Sequence, residues 1–268
     1  MDRMSPRRST PWPAGAPAWL DVTTPDIPAA QRFYGGLLGW TFTEGDDQYG
    51  GYCLAEVDGA AAAGMAPAME GMPPAWTLYF AADDARATAE AVTAAGGALL
   101  SDVMDIGDSG TMFVGADPAG AAFGVWQAKD MSGYAVHNEP GGLSWEDLRS
   151  TDPDASKAFY ADVLGWDYQP LEMAGPDYAT FHHAGDEAPL GGLGGMMGME
   201  GFPSHWIVYF GVADVDAAVA QVEADGGHVL SPGFDTPFGR MAAVTDPWGA
   251  SFWVTAPNPD QLLPDRES

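Results

Sequence analysis

The stretches AWLDVTTPDIPAAQRFYGGLLGW (residues 18–40) and SWEDLRSTDPDASKAFYADVLGW (residues 144–166) are two versions of one sequence. Both keep a Trp, an Asp, an Asp-Pro-rich turn, a Phe-Tyr pair and a final Leu-Gly-Trp at matching places. Farther along, WTLYF (76–80) recurs as WIVYF (206–210), and the turn DPAG (117–120) recurs as DPWG (246–249). A repeat that keeps its order over this length indicates a tandem duplication.

The duplication sets the expected domain organisation. We expect a first domain at residues 17–128 and a second domain at residues 143–256, joined by a linker at 129–142 that is rich in Gly and polar residues. Residues 1–16 and 257–268 are expected to be flexible tails.

Local signals indicate that each copy is itself divided into two similar halves. Asp152 is a good helix N-cap because Pro153 follows it at the first helical position, and Asp26 with Pro28 one residue farther on has a similar role. Gly-containing, Met-rich connectors separate the halves, and each half reads as a strand, a helix and three strands. The predicted fold class is therefore α+β, with four such units.

Composition excludes several classes of protein. Thirty-eight Asp and Glu residues against ten Lys and Arg give a net charge of −28, which repels nucleic-acid phosphates and anionic lipid. No apolar run reaches the roughly 18 residues of a membrane-spanning helix, and the first residues lack the apolar stretch of a signal peptide. The single Cys53 cannot form an internal disulfide. We expect a cytoplasmic protein, monomeric or homodimeric, with no nucleic-acid or membrane partner.

The repeated motif D-x-x-x-(A)-x-x-F-Y-x-x-x-L-G-W and the later D-P-x-G turn resemble the vicinal oxygen chelate superfamily, which comprises glyoxalases, bleomycin-resistance proteins and extradiol dioxygenases. The layout is similar to tandem glyoxalase-like proteins of actinobacteria. The resemblance implies two tandem glyoxalase-like domains, each a pair of βαβββ modules that form a curved mixed sheet around a cavity. Because this fold supports many chemistries, the cavity residues must decide the function.

The resemblance also locates the divalent-metal ligands that many members carry. Those positions correspond here to Trp19, Thr77 and Gly124 in the first copy, and to Trp145, Ile207 and Trp253 in the second. An indole offers only an N–H donor, and a lone Thr is a poor ligand for a divalent ion. The five histidines, all in the second half of the sequence, favour ordinary surface or hydrogen-bonded roles over a metal site. We therefore expect no metal and no cofactor.

Strand alternation predicts which side chains line each cavity. Asp147, Tyr209 and Asp21 are the candidate catalytic residues, because a buried carboxylate is costly unless it faces a polar partner or a ligand. The candidate ligand-binding residues are Trp145, Trp253, His205, Ser251, Arg240, Trp19, Tyr79 and Trp126. The alternative is that these aromatic side chains fill the cavity and form packed core.

Two functional classes remain open on this pattern. One is a metal-independent tailoring enzyme that performs a cyclisation, isomerisation or hydration on a bulky aromatic small molecule by acid-base chemistry. The other is a bleomycin-resistance-type protein that sequesters an aromatic or cationic drug. A metal-dependent glyoxalase or dioxygenase is disfavoured because the ligands are missing. The second copy has more polar residues at its predicted cavity, so we expect one ligand per chain, bound preferentially within residues 143–256.

Overall fold

The computed structural model describes residues 7–175, 177–198 and 201–257. Residues 1–6 and 258–268, most of the predicted tails, lie outside the described residues. The first copy contains β1 (Pro17–Thr24), α1 (Ile27–Leu38), β2 (Thr41–Phe42), β3 (Cys53–Val57), β4 (Ala60–Pro67), β5 (Trp76–Ala81), α2 (Ala85–Ala94), β6 (Ala98–Leu99), β7 (Met104–Ile106), β8 (Gly110–Ala116) and β9 (Ala122–Ala128).

The second copy repeats this order without a counterpart of β7. It contains β10 (Leu143–Arg149), α3 (Pro153–Leu164), β11 (Trp166–Pro170), β12 (Ala179–His183), β13 (Gly191–Gly194), β14 (His205–Gly211), α4 (Val215–Ala224), β15 (His228–Thr236), β16 (Gly239–Thr245) and β17 (Ser251–Pro257). The predicted α+β class and the βαβββ units are confirmed.

Each copy forms one mixed sheet. In the first, the strand order is β2-β3-β4-β1-β5-β9-β8-β6, with β7 paired to β8; in the second it is β11-β12-β13-β10-β14-β17-β16-β15. The central strands β1 and β10 each pair with one parallel and one antiparallel neighbour. The two halves of each copy therefore meet along the antiparallel pairs β1–β5 and β10–β14.

The helices begin and end where the sequence predicts. The Asp26 and Asp152 side chains accept hydrogen bonds from the backbone N–H groups of Ala29 and Ala155, and Gly39 and Gly165 end α1 and α3 with φ of 72° and 71°. A left-handed residue at this place costs little only for glycine. None of the helices in the described residues has the length and apolar character needed to cross a membrane.

The two copies share one aromatic core. Phe80 of the first copy contacts Trp166 and Trp206 of the second, with ring centroids 5.1 Å apart in both pairs. Phe210 of the second copy contacts Trp40 of the first at 5.4 Å. Helix α1 packs against α4 and α2 against α3. The prediction that the copies pack against each other is confirmed.

The N-terminal segment departs from the prediction. Residues 7–16 were expected to be part of a flexible tail, but Trp12, Gly15 and Ala16 are buried and Trp12 is only 7% exposed. Its indole N–H donates to the Tyr134 carbonyl at 3.1 Å, and the Trp166 indole donates to the Gly15 carbonyl at 2.8 Å. Burial of an indole with a satisfied N–H outweighs the Pro- and Gly-rich composition of this segment.

Candidate functional site

A carboxyl group lies at the centre of each sheet, surrounded by aromatic side chains. We call Trp19, Asp21, Tyr52 and Tyr79 the first cluster, and Trp145, Asp147, Arg149, Tyr178 and Tyr209 the second cluster. Strand pairing brings these residues together, because Trp19 lies opposite Tyr79 in the register of β1 and β5, and Trp145 lies opposite Tyr209 in that of β10 and β14.

In the first cluster two phenols hold one carboxyl oxygen. The hydroxyl groups of Tyr79 and Tyr52 donate to Asp21 Oδ2 at 3.1 and 3.3 Å. The Trp19 indole N–H donates to the Tyr52 hydroxyl at 2.8 Å. Within the described residues, no hydrogen bond reaches Asp21 Oδ1. Asp21 was expected to face either a polar partner or a ligand, and its Oδ2 atom faces two phenols.

Burial controls the protonation of this carboxyl. Desolvation raises the pKa of Asp21 to about 7, although the hydrogen bonds from Tyr79 and Tyr52 act in the opposite direction. Burial and the charge of Asp21 also raise the pKa values of Tyr52 and Tyr79, so both phenols remain donors. Asp21 can therefore hold or release a proton near neutral pH.

The second cluster has the same arrangement, but both oxygens of its carboxylate accept two hydrogen bonds each. Asp147 Oδ1 accepts from the Trp145 indole at 2.9 Å and from the Tyr178 hydroxyl at 2.6 Å. Asp147 Oδ2 accepts from the Tyr209 hydroxyl at 2.9 Å and from Arg149 Nη2 at 2.8 Å. Both oxygens of this carboxylate are thus fully engaged.

Arg149 distinguishes the two clusters. Its guanidinium is nearly buried and forms the ion pair with Asp147, and it lies 5.3 Å from the centroid of the Tyr178 ring. Burial lowers the pKa of Arg149, but the charge of Asp147 and nearby phenols raise it by more. The corresponding residue of the first copy is Thr23, whose hydroxyl bonds to the backbone of Ala75. The first cluster therefore has no cation among its members.

Two glycines allow the phenols to approach the carboxyl groups. A Cβ on Gly64 would lie 1.8 Å from the Tyr52 hydroxyl, and a Cβ on Gly192 would lie 1.8 Å from the Tyr178 hydroxyl. Neither distance is compatible with a side chain at that position. Gly64 and Gly192 are the register partners of Asp21 and Asp147, so the glycines place each phenol over its carboxyl.

The clusters differ in exposure. Trp19 is 3% exposed and Tyr79 is also buried, as expected if these aromatic side chains form packed core, yet Asp21 keeps 8% exposure. In the second copy Trp145 and Trp253 are only half-buried.

The other predicted site residues are dispersed around this framework. The Trp253 ring lies 5.3 Å from that of Tyr209, and His205 is the register partner of Arg149 on β14. Ser251 is exposed at the start of β17. Arg240 is not brought to the cluster: it binds Asp216 at the start of α4 at 2.8 Å and Asp235 at 2.9 Å.

Trp126 borders a separate cleft. Its indole N–H donates to the Met131 carbonyl at 3.0 Å, within the linker. The cleft has a volume of about 230 Å³ and lies between the N-terminal segment, the linker and the end of β5. Its lining residues are Pro11, Trp12, Ala18, Ala81, Ala82, Asp83, Trp126, Gln127, Ala128 and Ser132.

Sequence reasoning missed Tyr52, Tyr178 and Arg149. Tyr52 and Tyr178 occupy matching places in the two copies, immediately before β3 and β12, so the repeat could have identified them. Arg149 could have been found by continuing the alternation of β10 by two residues beyond Asp147.

The donor set of neither cluster fits a divalent metal. The three positions that correspond to metal ligands present an indole, Thr77 and Gly124 in the first copy, and two indoles with Ile207 in the second. A Cβ on Gly124 would lie 2.0 Å from the Tyr79 ring, so that position has no room for a carboxylate side chain. Among the residues that the structure describes, no three His, Cys, Asp or Glu side chains form a group that could hold a metal ion.

Comparison with known families covers both copies. Residues 142–254 match the family described as the glyoxalase/bleomycin resistance protein/dioxygenase superfamily, and residues 18–126 match the glyoxalase-like domain. A solved structure, the Mn(II)-bound glyoxalase from Novosphingobium aromaticivorans, superposes with a TM-score of 0.64 at 18% identity, covering 91% of this chain and 82% of that chain. That likeness concerns the fold.

Two relatives align over nearly their whole length. The protein named "Putative glyoxylase CFP32" of Mycobacterium tuberculosis is 41% identical over 96% of this chain and 100% of its own length. The anthracycline biosynthesis protein DnrV of Streptomyces peucetius is 39% identical over 90% of this chain and 92% of its own length.

Proposed function

The chain belongs to the glyoxalase/bleomycin resistance protein/dioxygenase superfamily, and from that premise we propose that it is a glyoxalase-like tailoring enzyme. Its substrate is a bulky, largely aromatic small molecule, and its reaction is a proton transfer at Asp21. The product is an isomer, a cyclised compound or a hydrated one.

The observation that carries this proposal is the state of the Asp21 carboxyl. A group with a pKa of about 7 is present in both its acid and its base form near neutral pH, which is the range in which general acid-base catalysis is efficient. The free Oδ1 atom is the one that meets the substrate, because Tyr52 and Tyr79 occupy Oδ2. Perturbed carboxyl groups of this kind concentrate at functional sites.

Such a reaction needs no outside proton donor or acceptor, because the proton that Asp21 removes from the substrate is returned to it. The Asp21 carboxylate accepts a proton from an acidic C–H or O–H bond of the substrate, and the electron pair of that bond moves into the conjugated system. The protonated Asp21 then returns the proton to a different atom, so an isomerisation or cyclisation needs no co-reactant. Tyr79 and Tyr52 stabilise the carboxylate form by donating to Oδ2.

Two features support an aromatic substrate. Trp19 and Tyr79 face each other across β1 and β5 and surround the Asp21 carboxyl with aromatic side chains, an environment that favours an aromatic partner. The relative from Streptomyces peucetius is named for anthracycline biosynthesis, and anthracyclines are polycyclic aromatic compounds. Asp147 and Tyr209, also predicted to be catalytic, are given no proton-transfer role because both oxygens of the Asp147 carboxylate already have hydrogen-bond partners.

We propose that the reaction proceeds without a protein-bound divalent metal. The support is the donor set described above, which offers one carboxyl group and no imidazole in the first cluster. Elemental analysis of the purified protein is expected to find no stoichiometric zinc, iron, nickel or manganese. One metal ion per copy that can be removed with loss of activity contradicts the proposal.

The test of the function uses turnover of a panel of anthracycline aglycones by the full chain. Asp21→Asn keeps the size of the side chain and abolishes proton transfer, so turnover is expected to fall about 10²–10⁴-fold while binding is retained. Asp108→Asn, at an exposed position, is the matched control and is expected to leave turnover unchanged. Undiminished turnover in Asp21→Asn contradicts the proposal.

The saturated carboxylate of the second cluster favours a second candidate, sequestration of a drug-like aromatic compound. That function needs no free proton-transfer group, and the ion pair of Asp147 with Arg149 offers none. Under this alternative the aglycones bind but are recovered unchanged from both the wild type and Asp21→Asn.

A further inference from the structure

The second guanidinium nitrogen of Arg149 has an unusually poor partner. Nη2 is satisfied by Asp147, whereas Nη1 contacts the thioether sulfur of Met197 at 2.8 Å. A thioether is a weak hydrogen-bond acceptor. A charged N–H donor that is nearly buried gains substantially when an oxygen replaces such a partner.

Met197 can leave this position at low cost. Its side chain is 63% exposed, and it lies in a turn after β13 rather than in a strand or a helix. Met side chains are unbranched and adapt readily to a changed environment. The Met197 thioether therefore occupies a place that a ligand oxygen can take.

Two indole side chains lie on or beside the strands that carry the second cluster. Trp145 lies two residues before Asp147 on the same face of β10, and the half-buried Trp253 packs against Tyr209 on the neighbouring strands. The half-buried Trp253 ring keeps surface that a second aromatic ring can cover. The geometry suits a ligand that is flat and carries an oxygen acceptor at its edge.

Charge selects a neutral acceptor. Asp147 already balances the charge of Arg149, and the whole chain carries a net charge of −28, which disfavours the approach of an anion. A ketone oxygen accepts the Nη1–H bond without adding a second negative charge beside Asp147.

We propose that the second cluster is a ligand-binding site, separate from Asp21, which takes an aromatic ketone with its carbonyl oxygen on Arg149 Nη1 in place of the Met197 sulfur. The first copy lacks this site because Thr23 stands where Arg149 stands in the second. Binding here involves no proton transfer, so its test is independent of turnover at Asp21.

The test is calorimetric titration of the full chain with 2-acetylnaphthalene. The matched probe is 2-isopropylnaphthalene, which has a similar shape but no carbonyl oxygen. Arg149→Lys keeps a cation beside Asp147 and removes the second nitrogen, so it is expected to weaken binding of the ketone about 10-fold, the loss typical of a hydrogen bond to a charged group. The hydrocarbon is expected to bind wild type and Arg149→Lys equally. Thr23→Val, at the equivalent place in the first copy, is expected to leave both affinities unchanged.

Met197→Ala provides a second measure if Arg149→Lys does not fold. Removing the competing thioether is expected to strengthen binding of 2-acetylnaphthalene about 3-fold, the size of a weak hydrogen bond. In ¹³C-methyl methionine spectra, the Met197 resonance is expected to shift on adding the ketone, while that of the buried Met65 stays in place. Equal affinity for the two probes, or unchanged ketone affinity in Met197→Ala with a static Met197 resonance, overturns the proposal.

Discussion

Arg149 Nη2 lies 2.8 Å from Asp147 Oδ2, two residues away on the same strand, and this ion pair is nearly buried. At the equivalent place in the first copy, Asp21 is followed two residues later by Thr23. The duplicated carboxyl groups therefore have different electrostatic surroundings, and this difference governs how each of them behaves.

Removing the arginine is expected to destabilise the protein. Arg149→Met leaves the Asp147 charge with three neutral donors and no cation, so we expect a loss of about 3 kcal/mol in the free energy of unfolding, the lower end for a broken buried pair. Urea denaturation measures this. Arg86→Met, which breaks the exposed pair with Asp105, is the control and is expected to cost less than about 1 kcal/mol. Equal losses in the two variants would contradict the account.

The raised pKa of Asp21 is expected to make stability depend on pH. The folded carboxyl binds a proton up to about pH 7, whereas the unfolded one releases it near 3.8, so unfolding releases a proton between these values. The contribution of protonated Asp21 is therefore fully present below about pH 4 and is lost as the pH rises through about 7. A shift of roughly three pKa units at about 1.36 kcal/mol each gives a change on the order of 4 kcal/mol.

Comparison with Asp21→Asn isolates this effect. The side chain at position 21 cannot titrate in the Asp21→Asn variant. The free energy of unfolding of the wild type, measured relative to that of the variant, is therefore expected to decrease from pH 4 to pH 7. Asp108→Asn is the control, because the wild type and this exposed variant both keep Asp21. A difference between wild type and Asp21→Asn that stays constant across this range would show that Asp21 titrates normally.

Contacts between the copies are expected to contribute to stability. The Tyr34 hydroxyl donates to Asp246 Oδ2 of the other copy at 3.1 Å, and both groups are buried. Tyr34→Phe leaves that oxygen unpaired and is expected to cost about 1–3 kcal/mol by urea denaturation. Tyr49→Phe, at the surface, is the control. A change below about 0.5 kcal/mol in Tyr34→Phe would mean that this hydrogen bond does not stabilise the pairing of the copies.

Glycine at position 64 is expected to be required for the first cluster. Gly64→Ala places a Cβ against the Tyr52 hydroxyl, so the phenol must move away from Asp21, at a cost of about 1–3 kcal/mol. Gly36→Ala in α1 has ordinary contacts of 3.7 Å and is expected to be neutral or stabilising. Thermal unfolding of the two variants measures this difference. Equal melting temperatures would contradict the assigned position of Tyr52.

The fold could be predicted because its signals are local and occur twice. Asp26 and Asp152 cap helices by bonding to residues three places away, and Gly39 and Gly165 end those helices, so neighbouring residues determine the pattern. Repetition then confirms each signal in the second copy. The packing of Trp12 could not be predicted, because it depends on a linker residue far away in the sequence.

The site could be predicted only where alternation along one strand was enough. Trp19 and Asp21 were identified this way, but Tyr52 reaches Asp21 only because β3 and β4 fold back beside β1. Arg240 was wrongly expected near the ligand. The strand that carries it was identified, but its side chain binds Asp216 of α4, and the position of α4 beside β16 could not be predicted from one strand.

The most direct test of the account is a measurement of the Asp21 carboxyl itself. A ¹³C titration of aspartate side-chain carboxyl groups by NMR, with the resonance assigned by its absence in Asp21→Asn, reports the protonation of this group without knowledge of the substrate. We predict a midpoint near pH 7. A midpoint near 4, the value of an ordinary aspartate, would contradict the assignment of Asp21 as the proton-transfer group.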